Sequence, residues 1–175
     1  MHTEAEHELL KEQAGKKTLK IGLVFAGLIL LAHVLIHVTN SHTNYQVLVI
    51  PELLLITAVI ISTIVYRRSL RGYAAFGELF SNGFKTTALL TIFLVLWILL
   101  SLQIFPEIKE IDIRLAKESM TAAGYNEEQL NESLASYQDN KIYYLGKIFN
   151  MLRLDFLLGI LTTVILAMFL RSRNS

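Results

Sequence analysis

Five ionisable side chains set in apolar sequence are the residues best able to do chemistry: His33, His37, Glu52, Arg153 and Asp155. His33 and His37 are four positions apart, so on a helix both imidazoles project from one face. Two imidazoles with a carboxylate could complete a tetrahedral Zn²⁺ site. The residues between them, however, are Val34, Leu35 and Ile36, without the glutamate that makes H-E-x-x-H a zinc signature. No metal or other cofactor is therefore expected. A second chemistry is a proton- or ion-linked relay through His33, Glu52, Arg153 and Asp155. In the third reading the group is structural: Glu52 and Arg153 form a buried interhelical pair, and the histidines make hydrogen bonds that fix helix packing.

The elements that must position these groups are four long apolar runs, residues 21–38, 47–66, 88–105 and 148–170. Each approaches the roughly 20 residues that cross ~30 Å of hydrocarbon as a helix. The last run cannot start after its charges, because residues 156–170 alone are too short to span; Arg153 and Asp155 must enter the membrane with it. On a regular helix Arg153 shares a face with Gly146 and Asn150, and Asp155 with Lys147 and Met151. That leaves Glu52, following Pro51 at the start of the second run, as the partner expected for Arg153.

Orientation follows from lysine and arginine, which resist translocation. They crowd the head, residues 1–20 (Lys11, Lys16, Lys17, Lys20), the second connection (Arg67, Arg68, Arg71, Lys85) and the tail (Arg171, Arg173). The first connection has none, and the third, residues 106–144, carries an acidic excess. Both termini are accordingly expected in the cytoplasm, and the candidate cluster in the outer part of the membrane. The first run keeps its place as an uncleaved span, because its head mixes acidic with basic residues and Val38-Thr39-Asn40 offers no small-x-small cleavage pattern.

The chain has 175 residues, 53% of them hydrophobic, which leaves room for one membrane domain and little else. With no cysteine there is no disulfide or thiolate chemistry. Nothing suggests nucleic-acid binding, and neither a Gly-x-Ser-x-Gly frame nor a phosphate-binding glycine loop occurs, so the chain reads as non-enzymatic. Trp97 lies too deep for the interfacial belt and reads as packing. A polar path to the inner side would have only Thr57, Ser62, Thr63, Thr87, Thr91, Thr162 and Thr163 to line it.

Two connections have helical periodicity. Tyr73, Phe76, Phe80 and Phe84 recur at spacings of three and four, which predicts an inner interfacial helix leading into the third span, weakened or bent by Gly72, Gly77 and Gly83. In the third connection Ile108, Ile111 and Leu115 form one stripe, and Leu130, Leu134 and Tyr137 another. Gly124 separates them, and Asn126 with Gln129 resembles a capping box. An outer acidic helical hairpin is expected, with Asp112 and Glu118 as solubilising charges.

The stretch YAAFGELFSNGFKTTALLTIF (73–93), a span ending in Ile104-Phe105-Pro106, the acidic segment ESMTAAGYNEEQLNESLASY (118–137) and a last span closing on Arg171-Ser172-Arg173 together resemble the bacterial domain-of-unknown-function 4199 family. The resemblance implies a four-span inner-membrane protein and assigns neither activity nor functional residues. The expectation is an all-α membrane protein: a four-transmembrane-helix bundle with an inner interfacial helix and an outer acidic hairpin. Its partners would be the lipid bilayer and either a second copy or another membrane protein, and it would serve as an accessory or scaffold. The alternative is a small transporter or ion-coupled protein using the five-residue cluster.

Overall fold

The computed structural model describes residues 4–41 and 44–172, and all regular structure among them is helical. Arg173, counted above with the basic tail, lies outside the described residues. Four helical runs are long and apolar enough to cross a membrane: Glu4–Val38, Gln46–Ser69, Phe76–Ile104 and Asn140–Leu170. The helices run well past the apolar stretches. Helix α1, Glu4–Val38, takes in most of the polar head, and α4, Phe76–Ile104, starts well before the third apolar run. The separate interfacial helix expected over residues 73–84 is not formed: from Phe76 the segment is the opening of α4, one helix with the span, and Tyr73 lies before it. Phe76, Phe80 and Phe84 stack along it, with successive ring centroids 6.1 Å apart.

Three helices end in the same hydrogen-bonding pattern. After α1, the Ser41 N–H donates to the Ile36 carbonyl and that of Asn40 to His37, with Asn40 at φ 53°. After α3, Ile50–Ser69, Gly72 donates to Arg67 and Arg71 to Arg68, with Arg71 at φ 55°. After α5, Glu107–Ala122, Tyr125 donates to Met120 and Gly124 to Thr121, with Gly124 at φ 85°. Each pairs two terminal carbonyls through a left-handed residue, the Schellman arrangement. Only Gly124 was visible as such a stop. Asparagine tolerates the conformation, whereas arginine adopts it at a cost. A short helix α2, Tyr45–Leu48, precedes α3, whose first turn carries Pro51 where its missing N–H costs nothing.

The chain packs as two compact units, one comprising the chain up to Leu94 and from Leu152 onward, the other Val95–Met151. In the first, α1 packs on α3, and α3 on α8, Leu157–Leu170. The opening half of α4 meets α1 where Gly22 faces Leu89, and meets α8 at Gly83–Thr163 and Thr87–Gly159. Many fully buried positions are small or lightly polar (Ala14, Ala58, Ser62, Thr63, Thr87, Thr163, Ala167), packed beside buried Leu55, Leu79 and Leu90, while Val24, Leu31, Leu53, Ile92 and Phe169 are exposed. Helices in lipid gain little from hiding leucine, so small residues go to the contacts and large apolar ones face outward.

In the second unit α5 and α6, Glu127–Gln138, form the expected hairpin, and Asn126 and Gln129 make both bonds of a capping box, at 2.9 and 3.0 Å. Asp139 caps α7, Asn140–Met151, by accepting from the N–H groups of Lys141 and Ile142. Asp112 does more than solubilise. It accepts from the buried Tyr143 hydroxyl and pairs with Lys147 at 2.5 Å. Lys109 bonds Asn140 at 2.6 Å and lies over the Tyr143 ring.

Candidate functional site

The five candidate residues lie on α1, on α3 and in the segment Leu152–Phe156, all in the first compact unit. His33 is half-buried and His37 buried, one turn apart on α1. Among the described residues no group of three or more His, Asp or Glu side chains is placed to hold a metal ion. Arg153 is exposed, and among the described residues it makes no ion pair with Glu52. The reason is local. Residues Leu152–Phe156 form a π-helical turn between α7 and α8. One extra residue in the turn rotates everything beyond it by about 100° relative to a regular helix. The face assignments that aimed Arg153 at the second span therefore fail. Asp155 is half-buried in this turn, and one carboxylate oxygen of Glu52 is buried without a hydrogen-bond partner among the described residues.

A larger polar constellation lies at the end of the first unit that carries the termini. Thr18 of α1 donates to the Asn82 side-chain oxygen of α4 at 2.8 Å, and the Asn82 amide donates to Ser62 of α3 at 3.1 Å. Ser62 and Thr86 share a hydrogen bond of 2.7 Å, and Thr86 also donates to the Asn82 carbonyl. All four side chains are buried, so each bond replaces one that water would have made. Three helices are tied together here by one amide and three hydroxyls.

One turn before Asn82, Glu78 receives Lys11 at 3.0 Å and His7 at 3.0 Å from α1, together with the Ala75 N–H at 2.9 Å at the start of its own helix. Burial pushes the Glu78 carboxyl up, but these three donors outweigh it and hold the group below the usual carboxylate range. Glu8 and Glu78 hold the Lys11 ammonium protonated to well above its ordinary range. Above this network lies a groove of about 950 Å³ between the opening halves of α1 and α4, with Tyr66, Thr18 and Asn82 among its lining and Leu19 and Leu89 toward the span. The network escaped the sequence reading because Thr18, Asn82 and Thr86 fall outside the apolar runs, in helix extensions that hydropathy does not mark.

Of the hydroxyls expected to line a path most are committed, whereas those of Thr87 and Thr91 are buried without a hydrogen-bond partner among the described residues. Thr57, Thr63, Thr162 and Thr163 donate to carbonyls four residues back in their own helices, at 2.7–2.8 Å, and Ser62 belongs to the network. Trp97 lies in the second unit.

No curated protein and no solved structure matches the chain. A model described as a protein of unknown function, DUF4199, matches residues 20–172, from the last residue of the polar head through all four spans. The chain belongs to the DUF4199 family.

Proposed function

We propose that this chain is a non-enzymatic accessory or scaffold protein of the bacterial inner membrane, with both termini cytoplasmic and the α5–α6 hairpin on the outer side. The observation that carries this is the commitment of most interior hydroxyls to bonds between or within helices. Thr18, Asn82, Ser62 and Thr86 bond one another across three helices, and Thr57, Thr63, Thr162 and Thr163 bond their own backbones, which leaves Thr87 and Thr91 as the span hydroxyls that are buried without a hydrogen-bond partner among the described residues. A scaffold needs such fixed interhelical joints. A carrier needs polar groups left for cargo and two arrangements of the helices around them. The distribution of basic residues supports the orientation, and a second copy or another membrane protein is the partner this role requires.

A small ion-coupled transporter is the second reading, favoured by the buried, unpartnered carboxylate oxygen of Glu52 and by the half-buried Asp155 within a π-helical turn, a distortion frequent at functional sites. One experiment separates the two. The protein reconstituted in liposomes should pass protons and alkali cations no faster than protein-free liposomes under an imposed gradient, and in native membranes it should cross-link into an assembly of defined size. Protein-dependent flux lost in Glu52→Gln would overturn the scaffold reading.

A further inference from the structure

A second pocket, of about 470 Å³, opens where α3 and α8 end, and every charged residue among those described as lining it is an arginine: Arg67, Arg71 and Arg171. Tyr73 and Phe169 stand beside them, 70% and 83% exposed. We propose that this pocket binds the phosphate of an anionic glycerophospholipid in the leaflet at the end of the molecule that carries the termini.

Three observations carry it. The Arg67 Nε is buried and has no hydrogen-bond partner among the described residues, a donor left for a ligand to satisfy. The guanidinium fork matches phosphate oxygens in pairs, and basic pockets between spanning helices on the cytoplasmic side suit anionic headgroups. Polarity also changes in the right direction across the site. Phe169 belongs to the apolar stretch of α8 and Arg171 follows it by two residues, so acyl chains would lie along the aromatic ring while the headgroup meets the arginines. The Tyr73 ring suits the headgroup level between them. This site requires that the chain reside in a membrane; it is independent of whether the protein scaffolds or transports.

The test uses the full chain purified in a mild detergent, with bound lipid counted by native mass spectrometry after adding phosphatidylglycerol or phosphatidylcholine. Phosphatidylglycerol should bind the more tightly. Arg67→Gln and Arg171→Gln should each weaken it roughly fivefold, the worth of one basic residue at an anionic surface. Arg68→Gln, the same change on an exposed neighbour outside the pocket, should not. Arg171 is exposed at the end of its helix, so that variant keeps the fold and decides the matter if Arg67→Gln does not express. A further arm adds inorganic phosphate alone. Protection against heat by phosphate without any preference for phosphatidylglycerol would assign the pocket to a soluble phosphate ester and overturn the proposal. So would equal binding of the two lipids, or equal effects of Arg68→Gln and Arg171→Gln.

Discussion

Gly83 of α4 and Thr163 of α8 approach so closely that a methyl group on Gly83 would lie 2.5 Å from the threonine Cγ2 and 2.6 Å from its Oγ1. One turn on, the roles reverse, with Gly159 of α8 against Thr87 of α4. This reciprocal glycine–threonine pair sets how near the two helices come. Gly83→Ala should therefore cost roughly 1–3 kcal/mol by overpacking. Thr163→Ala removes the two nearest atoms and should recover part of the loss in the double variant. Thermal unfolding in detergent reads the cycle, and strictly additive costs would show that the helices simply separate to admit the methyl.

Asn82 joins three helices with one amide. Asn82→Leu removes its bonds to Thr18 and Ser62, and at about 0.6 kcal/mol for each interhelical bond in a membrane protein the expected loss is roughly 1–2 kcal/mol. Asn82→Asp keeps the acceptor for Thr18 but gives up the donor to Ser62, and adds a buried charge, so it should be the more damaging of the two. Equal stability of all three proteins would show that the network is incidental to packing.

These residues mark the limit of what sequence could say. The spans, the hairpin break at Gly124 and the capping box of Asn126 and Gln129 were legible because hydropathy, a left-handed glycine and a side-chain cap are each written locally. Asn82 and Thr18 were not, because an isolated polar residue beyond an apolar run looks the same whether it faces water or another helix. Arg153 was misplaced for a different reason. Nothing in Leu152-Arg153-Leu154-Asp155-Phe156 announces a π-helical turn, and a single added residue turns every later side chain to a new direction.

That turn gives a prediction for the pair expected from sequence. With Arg153 exposed and outside the reach of Glu52, Glu52→Gln and Arg153→Leu should have independent effects on stability, adding to within about 0.5 kcal/mol in the double variant. A strong coupling between positions 52 and 153 would instead mean that the fourth span enters the membrane without the π-helical turn.

Glu78 supplies a dependence on pH. Its carboxyl lies below the ordinary value of 4.5 when folded, so the unfolded chain takes up its proton first as acid is added. The stability it contributes is thus complete above about pH 4.5 and lost as the pH falls through the folded value. Other carboxylates titrate in the same range, Glu12 beside Lys16 among them, so the useful quantity is the difference between the unmodified protein and Glu78→Gln. With His7, which also contacts Glu78, replaced by Asn in both proteins, that difference in unfolding temperature should be constant from pH 7 to about 5 and shrink toward zero below it. Lys11→Met should reduce it above about pH 5, because the ammonium is one of the donors that hold Glu78 ionised. A difference that grows on acidification would mean that Glu78 is protonated in the folded protein, and would exclude the ion pair with Lys11 as the joint between α1 and α4.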